Sequence, residues 1–319
     1  MCLCSLILHS LAVLAIVNGE RLASFSGMLS DGEAQQRQFM RLVSGLDDSP
    51  NGVIPLREYR IHMVGDSTMR NQWSALCSLL SERKLPEPTD LVASPPCTGE
   101  GWGYKRLIAT GTFNRLKPIV ASQMPGILAA ATKAYNVSHF DAIYFGSSAL
   151  HLLQLFPVRE LGDAFYPNAA NFEEGISEMQ QVAKSFSSCP IFQTMHYICD
   201  HLYFGTWAKA LKDNYSGDES KLQNICQKRF PESVGVCMNF SFTSKGSTAV
   251  AQIERRGIEL AKSAVGIVDT YAMTYKQCWA SSDGRHYLKL LPLFLKALSE
   301  QVYACQSAPI LHEAKLVGA

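Results

Sequence analysis

Three side chains of the kind used in acyl transfer are widely separated in this sequence. Ser67 falls in the stretch MVGDSTMRNQW, residues 63–73, whereas Asp283 and His286 fall in SSDGRHYL near the carboxyl end. A serine becomes a nucleophile when a base lies within hydrogen-bond reach and a third group orients that base. An aspartate three residues before a histidine can hold one ring nitrogen and leave the other for the serine. The pattern predicts a nucleophile, Ser67, a base, His286, and an orienting carboxylate, Asp283.

Ser67 is expected on a corner between a strand and a helix. Polar and apolar residues alternate over 58–64, and this pattern ends at Gly65 and Asp66. The apolar residues that follow recur with a helical period: Met69, Trp73, Leu76 and Leu80. An amide at the amino end of a helix can also hold an oxyanion. The alternative is that Ser67 is only a helix cap, a favoured role for serine, and that Asp283 and His286 lie on a solvated turn.

The elements that would position these residues alternate along the chain. Further strands are predicted at 141–146, 189–198 and 265–271, with helices at 171–186, 247–264 and from about His286 to Cys305. The stretch 85–106, rich in Pro and Gly, is predicted to be a long loop. This order predicts an α/β fold with a mostly parallel sheet covered by helices on both faces. Ligands bind beyond the carboxyl ends of such strands, where Ser67 and residues 146–148 would lie.

Composition narrows the function classes. The chain has 319 residues, 47% of them hydrophobic, and its 29 Lys and Arg balance 28 Asp and Glu. It therefore lacks the basic excess of a nucleic-acid-binding surface. We expect a lead-in segment at 20–50, one catalytic domain at 51–310 and a tail at 311–319. No cofactor and no metal site is predicted, because the cysteines form no CxxC pair and the His196–His201 spacing is not a standard ligand spacing.

The amino terminus indicates the secretory pathway. The apolar run 3–17 has the length of a signal-peptide core, and residues 1–19 are predicted to be a cleaved signal peptide, with an uncleaved signal anchor as the alternative. Eight cysteines remain after residue 19, an even number that predicts disulfides in an oxidising compartment, Cys226–Cys237 being the closest plausible pair. Three glycosylation sequons begin at Asn136, Asn214 and Asn239. A secreted glycoprotein, or one of the ER or Golgi lumen, is expected.

Two sequence blocks resemble a known family. VGDSTMRNQW is similar to the first block of the trichome-birefringence-like proteins, in which GDS is followed two residues later by Arg-Asn-Gln-Trp. These proteins belong to the PC-esterase group of the SGNH (GDSL-type) hydrolase superfamily. DGRHY resembles the closing Asp-x-x-His block of the superfamily, and DAIYFGSSALHLL resembles its third block. The resemblance extends over about residues 57–305 and implies a three-layer α/β/α, flavodoxin-like fold.

The resemblance also implies roles for individual residues. Ser67 would accept the acyl group, with His286 as its base and Asp283 as the orienting carboxylate. Gly65, Asp66, Arg70 and Asn71 match the first block. The third block normally supplies an Asn to the oxyanion hole, but the corresponding residues here are Gly146, Ser147 and Ser148. The expected oxyanion donors are therefore Ser67, Ser147 and a second-block glycine, either Gly101 or Gly111.

The expected function is a serine esterase or O-acetyltransferase of the secretory pathway that forms an acyl-serine intermediate. Its partners would be an acylated glycan or another ester and, for transfer, an acyl donor; neither nucleic acid nor membrane insertion beyond an amino-terminal anchor is expected. The Asp-Cys-x-His-Trp-Cys-Leu-Pro ending of the plant family is absent. The alternative is a secreted glycan-binding protein in which the site has degenerated, as the missing third-block Asn suggests.

Overall fold

The structure is a computed structural model that describes residues 58–81, 94–102, 104–113, 119, 121–147, 169–199, 202, 219–229, 231–232, 234–239, 243–261 and 266–307. The predicted signal peptide, lead-in segment and tail lie outside the described residues. So do the Asn214 sequon and the side chains of Asn239 and Cys237. No helix in the described part of the chain is long and apolar enough to cross a bilayer.

Six strands form a single sheet with the order β2-β3-β1-β4-β5-β6. The strands are β1 (Glu58–Gly65), β2 (Cys97–Gly101), β3 (Tyr104–Phe113), β4 (Phe140–Gly146), β5 (Ser187–Gln193) and β6 (Gly266–Val268). Every pair is parallel except β2 and β3. The five parallel strands have the flavodoxin-like order, whose topological switch point lies between β1 and β4.

Helices cover both faces of this sheet. The described helices are α1 (Ser67–Ser81), α2 (Met124–Tyr135), α3 (Ala169–Phe186), α4 (Glu219–Arg229), α5 (Val234–Asn239), α6 (Ser244–Leu260), α7 (Thr270–Thr274) and α8 (Leu291–Ser307). Ile61 and Met63 of β1 share a core with α1 and α8. Val64 faces the other way, into a core with α2 and α3. Because β1 is buried on both faces, the predicted three-layer α/β/α arrangement is confirmed.

Several predicted boundaries were wrong. The stretch 85–106 contains β2 and the start of β3, because the Gly and Trp residues after Cys97 form an antiparallel hairpin at the sheet edge. The predicted strand 265–271 is only three residues long, since Asp269 caps α7 directly after β6. The predicted strand 189–198 ends at Gln193. The last helix begins at Leu291 rather than His286, because Pro292 lacks an amide hydrogen and fits only the first turn.

Disulfides tie the layers together, as the cysteine count predicted. Among the described residues the disulfide pairs include Cys77–Cys97, Cys189–Cys305 and Cys199–Cys278. The first joins α1 to β2, the second joins β5 to α8, and the third joins the segment after β5 to the segment that carries Asp283. Cys226 is also disulfide-bonded. The predicted Cys226–Cys237 pair stays a prediction, since the Cys237 side chain is outside the described residues.

Candidate active site

The structure brings the three predicted catalytic side chains together. The Ser67 hydroxyl oxygen lies 2.8 Å from Nε2 of His286. Nδ1 of the same ring lies 2.5 Å from Oδ2 of Asp283. Asp283 Oδ1 accepts the backbone N–H of His286 at 2.8 Å, which fixes the carboxylate beside the ring. This is the connectivity that proton transfer from a serine to a histidine requires.

The Asp283 carboxylate is held in its charged form. Burial by itself raises the pKa of this carboxyl, but the hydrogen bond to His286, the attraction of that ring and the backbone N–H groups of His286 and Arg285 outweigh it. The net result is a pKa well below the ordinary value of an aspartate. An ionised Asp283 accepts the Nδ1 hydrogen of His286, and the lone pair of Nε2 therefore faces Ser67.

Asp66, and not Ser67, caps α1. Oδ1 of Asp66 accepts the backbone N–H of Thr68 at 2.8 Å and the Thr68 hydroxyl at 2.6 Å. The Asp66 carbonyl accepts the N–H of Arg70 at 3.0 Å, the first full helical bond. Because the aspartate satisfies the helix end, the Ser67 hydroxyl is left for His286. The helix-cap interpretation of Ser67 was therefore wrong at this corner, and the neighbouring residue fills that role.

The corner is tight enough to require glycine at position 65. A Cβ on Gly65 would lie 2.6 Å from Cβ of Met69, a distance that real side chains do not adopt. The missing side chain allows the first turn of α1 to fold back over the end of β1. This close approach holds Ser67 at the carboxyl edge of the sheet.

A buried series of hydrogen-bonded side chains connects the sheet to the corner at Asp66. The Tyr144 hydroxyl donates to the side-chain oxygen of Gln72, whose amide donates to Gln193 at 2.8 Å. The Gln193 amide in turn donates to the Thr68 hydroxyl at 3.3 Å, and Thr68 donates to Asp66. Every bond points towards the Asp66 carboxylate, an arrangement in which hydrogen bonds reinforce one another. The series ties β4 and β5 to the cap of α1.

The rest of the first block has a packing role. Trp73 is fully buried and packs against Phe113, with ring centroids 5.8 Å apart. Arg70 and Asn71 lie half-buried on the first turns of α1.

Hydrogen bonds and a disulfide hold the segment that carries Asp283 and His286 against residues 196–199. Cys199 donates its N–H to the carbonyl of Gly284 at 2.8 Å, and the Cys199–Cys278 disulfide closes the same contact. The Tyr287 hydroxyl donates to the carbonyl of Tyr197 at 2.8 Å. Gly284 has φ +81, and a Cβ there would meet the Cys199 carbonyl oxygen at 2.7 Å, so glycine is needed on both counts.

The four predicted oxyanion donors lie in different places. Ser67 opens α1 at the positive end of its dipole. Ser147 follows β4 at the same edge of the sheet, with its hydroxyl 2.6 Å from Oε1 of Glu254. Gly111 lies inside β3 opposite Met63, two positions before Gly65 in the register.

Gly101 is excluded as an oxyanion donor. It pairs with Tyr104 at the start of β3, beyond the pair formed by Glu58 and Arg106. Ser67 follows the opposite end of β1, so the two lie more than ~20 Å apart at the usual rise of a strand. The hairpin, which sequence periodicity did not reveal, puts Gly101 at the amino edge of the parallel sheet.

A polar pocket lies at the β1/β4 switch point, and Asp66 and Thr68, the two chain neighbours of Ser67, are part of its lining. Its lining includes Asp66, Ser147, Gln193, His196 and Glu254. Burial lowers the pKa of His196 to about 4, and burial raises that of Glu254 to about 8. In both side chains burial therefore favours the uncharged form.

Sequence reasoning missed Gln72, Gln193 and Glu254. Glu254 had a usable signal, because it shares the i, i+3, i+4, i+7 face of its helix with the apolar residues Val250 and Ala251. A glutamate on a buried face is uncommon. Gln193 had no comparable signal, since its partners lie on other elements. Trp102 and Tyr104 of the β2–β3 hairpin are buried in the core.

No protein-family model matches the chain, and no curated protein matches it. Among solved structures, an α/β hydrolase from the metagenome of Lake Arreo, Spain, is 10% identical with a TM-score of 0.44, covering 80% of this chain and 99% of that one. An acetylxylan esterase from Geobacillus stearothermophilus is 9% identical with a TM-score of 0.42, covering 78% and 96%. A chloroplast translocon GTPase is 11% identical with a TM-score of 0.38, covering 87% and 94%. Likeness at this level has no bearing on the reaction, since proteins of unrelated function share such folds.

Proposed function

We propose that this chain is a serine esterase of the SGNH (GDSL-type) superfamily, of the PC-esterase group. The observation that carries the proposal is the hydrogen-bonded series Ser67, His286 and Asp283 at the carboxyl edge of a flavodoxin-like sheet. The first-block motif at 65–73 and the Asp-x-x-His motif at 283–286 agree with it. The three groups have the polarity that acyl transfer needs: a hydroxyl, a ring lone pair and a fixed carboxylate.

In the first half of the reaction, Ser67 attacks the carbonyl carbon of an ester. Nε2 of His286 takes the hydroxyl proton as the Oγ–C bond forms, and the carbonyl oxygen becomes an oxyanion. The Ser67 amide, at the amino end of α1, is placed to donate to that oxygen. When the tetrahedral intermediate collapses, the bond to the alcohol breaks and Nε2 returns the proton to the leaving oxygen. The products are an alcohol and acyl-Ser67.

In the second half, a hydroxyl compound attacks the acyl-serine. His286 takes its proton, a second tetrahedral intermediate forms, and Ser67 leaves with the proton restored. Water as the attacking group gives a carboxylic acid and makes the protein an esterase. A glycan hydroxyl gives a new ester and makes it an O-acetyltransferase. Ionised Asp283 stabilises the charged ring in both halves.

A glycan substrate is favoured by two exposed aromatic rings on the segment that precedes Asp283 in the chain. Trp279 and Tyr275 are 41% and 44% exposed, and both precede Asp283 on the same segment. The ammonium groups of Lys289 and Lys276 lie 5.7 Å and 5.2 Å from the centroids of these two rings. Flat aromatic faces with polar neighbours stack on sugar rings, and the lysines favour a glycan that carries negative charge.

The proposed compartment is the lumen of the secretory pathway or the cell exterior. The disulfides between α1 and β2, between β5 and α8, and beside the triad are of the kind that forms in oxidising compartments. Asn136 of the first sequon is exposed at the end of α2, where a glycan has room.

A second candidate function is glycan binding without catalysis. The observation that favours it is Ser147, which follows β4 where the third block normally carries an Asn. The Ser147 hydroxyl is engaged with Glu254. Loss of one oxyanion donor lowers turnover by roughly 100- to 1000-fold in other hydrolases. On this alternative, sugar binding survives the loss of Ser67.

A fluorophosphonate probe tests the proposal. It labels only a serine made nucleophilic by its surroundings, so we expect one labelled peptide, residues around 67, in the purified protein. The Ser67→Ala variant should not label, whereas Ser78→Ala, a serine further along the same helix whose hydroxyl bonds to the Ser74 carbonyl, should label normally. Labelling paired with hydrolysis of an aryl acetate supports the esterase.

No labelling of a protein with native near-ultraviolet circular dichroism would refute it. Retained binding of acidic oligosaccharides in that case would favour the second candidate function. Labelling without hydrolysis, but with acetyl transfer to an oligosaccharide, would identify the transferase form of the same site.

A further inference from the structure

Residues 193–199, here called the bridging stretch, contact the supports of both Ser67 and His286. The stretch comprises the last residue of β5 and the irregular chain that follows it. At its start, the Gln193 amide donates to the hydroxyl of Thr68, one residue after Ser67 on α1, at 3.3 Å. At its other end, it contacts the segment that carries His286. One uninterrupted piece of chain therefore connects the supports of the nucleophile and of the base.

The contacts at the far end flank His286 on both sides. Nδ1 of His196 donates to the carbonyl of Arg285 at 3.1 Å. The hydroxyl of Tyr287 donates to the carbonyl of Tyr197 at 2.8 Å. The residue before the base accepts from the bridging stretch, and the residue after the base donates to it. A displacement of His286 relative to the stretch would therefore break at least one of these bonds.

The bridging stretch is itself fixed by the helices around it. Strand β6, its neighbour in the sheet, is only three residues long and ends opposite Gln193. Side chains of α6 and α7 accept three of the backbone N–H groups beyond that point, at 2.8–3.1 Å: Met195 donates to Glu254, Tyr197 to Thr274 and Ile198 to Ser247. Because buried N–H groups need partners, these bonds fix the path of the stretch.

His196 is a costly residue for its surroundings unless the bond to Arg285 matters. The residue is only 5% exposed, and its ring lies against Tyr287 and Phe294, with centroids 5.6 Å and 5.1 Å away. Its Nε2 has no hydrogen-bond partner among the described residues. A phenylalanine would fill the same space without burying a polar atom, which costs free energy. What the histidine adds is the bond that holds the Arg285 carbonyl next to the base.

Asp283 and His286 do not need the bridging stretch to meet each other. They are three residues apart on one turn, where the Asp283 carboxylate accepts both the backbone N–H and the ring hydrogen of His286. The distance from this turn to Ser67 is a separate matter, because Ser67 lies on another element. Contacts from the rest of the chain must set that distance.

We propose that the bridging stretch sets the distance between Ser67 and His286, with Gln193 and His196 as positioning residues. Each of the two holds one reacting group through a chain neighbour, and neither takes part in the reaction itself. The inference rests on the proposed esterase and adds positioning residues to it. Loss of either side-chain bond displaces the nucleophile relative to the base and leaves the pair of Asp283 and His286 intact.

Two substitutions at His196 separate the hydrogen bond from the packing. His196→Phe keeps an aromatic ring against Tyr287 and Phe294 but has no donor for the Arg285 carbonyl. His196→Asn loses the ring but keeps an N–H donor near the place of Nδ1. With an aryl acetate, we expect kcat to fall by about 10- to 100-fold in His196→Phe at a KM within about twofold, because displaced catalytic groups slow the chemical step. His196→Asn should restore kcat to within about fivefold of the unmodified protein.

His62→Phe is the matched control. His62 is a fully buried histidine too, with Nδ1 2.8 Å from the Thr110 hydroxyl and its ring stacked on Phe140 at 4.7 Å, but it lies within β1. This variant should lose stability in urea, as buried substitutions do, and keep kcat within about twofold. Gln193→Met, which removes the bond to the Ser67 corner, should lower kcat as His196→Phe does.

Three results would overturn the positioning role. The first is an equal kcat in the His196→Phe, Gln193→Met and His62→Phe variants. The second is a higher kcat in His196→Phe than in His196→Asn, which would mean that packing matters and the hydrogen bond does not. The third is a shifted midpoint in the pH dependence of kcat/KM. Because the pair of Asp283 and His286 stays intact, the midpoint should be the same in every variant.

A spectroscopic measurement separates this inference from the proposed function. The ¹⁵N shift of His286 Nε2 depends on its hydrogen bond with Ser67, so Ser67→Ala should change that shift in the otherwise unmodified protein. In the His196→Phe background the same substitution should leave the shift nearly unchanged, since the contact is already lost. That pattern in a protein that hydrolyses no ester would refute the esterase and retain the positioning role. An equal change in both backgrounds would refute the positioning role, whatever the activity.

Discussion

The Ser67 hydroxyl oxygen lies 2.8 Å from Nε2 of His286, although 219 residues separate the two in the chain. Ser67 reaches this position on a corner between β1 and α1, and His286 reaches it on an irregular segment before α8. The Asp66 cap fixes the corner, and the hydrogen bonds to residues 196–199 fix the segment. A substitution can therefore disturb the position of Ser67 without changing the contacts that hold His286, and the reverse also holds.

Removal of the Asp283 charge should abolish most of the activity while the fold persists. In Asp283→Asn the amide can donate to Nδ1 of His286, which turns the ring into the tautomer with a hydrogen on Nε2, facing Ser67. We expect the esterase kcat to fall by about 10³- to 10⁴-fold, as in hydrolases that share this arrangement. Stopped assays with an aryl acetate measure it. A fall of less than tenfold would show that Asp283 does not orient the base.

Loss of the Cys199–Cys278 disulfide should impair catalysis as well as stability. Replacing both cysteines by serine removes one of the contacts that hold the segment with Asp283 and His286. Small displacements of catalytic groups lower the rate by about 100-fold. Cys189→Ser with Cys305→Ser is the matched control, since its sequence separation of 116 is comparable to 79 but it joins β5 to α8 instead. Both pairs should lower the free energy of unfolding by similar amounts, about 4 kcal/mol.

The two double variants are compared at low temperature, where both remain folded. We expect kcat to fall at least tenfold in the first and to stay within twofold in the second. Equal rates in the two variants would contradict a positioning role for this disulfide.

Gly65→Ala should destabilise the protein and disturb Ser67. The added Cβ would lie 2.6 Å from Cβ of Met69, so the first turn of α1 must move. Overpacking of this kind lowers the free energy of unfolding by about 1–3 kcal/mol. Gly126→Ala is the control, because nothing lies within 4 Å of a Cβ there and the position is inside α2. That variant should be neutral or slightly more stable in urea unfolding.

Stability should fall with rising pH in a manner that Glu254 controls. Burial raises the pKa of its carboxyl from 4.5 to about 8, so the folded protein binds a proton that the unfolded chain has lost over this range. The contribution to the free energy of unfolding is full below about pH 4.5, declines as pH rises and is lost above about pH 8. Its size is at most a few kcal/mol, at about 1.4 kcal/mol for each pH unit of difference.

Glu254→Gln removes this titration and keeps a neutral side chain of the same shape. Relative to the unmodified protein, the variant should gain stability steadily between pH 5 and pH 8, measured as the urea midpoint. Glu259→Gln, at an exposed position of the same helix, should show the pH dependence of the unmodified protein. Parallel curves for all three proteins would mean that Glu254 is ionised in the folded state.

The local sequence was enough for the elements with strong patterns. Polar and apolar residues alternate over 58–64, and a glycine follows. For this reason β1 and the corner after it were predicted almost to the residue. The β2–β3 hairpin was missed because it lies in a Gly- and Pro-rich stretch, where turn residues mask short strands. The last helix was placed too early since its start depends on Pro292, and the residues before it are held by Cys199 and Tyr197 rather than by helical bonds.

The sequence by itself determined the residue types of the triad, the alternation that yields a parallel sheet, and the even cysteine count. These features follow from residue types and from their spacing within short stretches of the sequence. Only the tertiary structure decided that Asp66 caps α1 and frees Ser67, that Gly101 lies at the wrong end of the sheet, and that His196, Ser147 and Glu254 share one pocket. The physical reason is that each of these facts depends on register and crossover between distant strands. Burial then sets the pKa of His196 and Glu254, and burial exists only once the layers have packed.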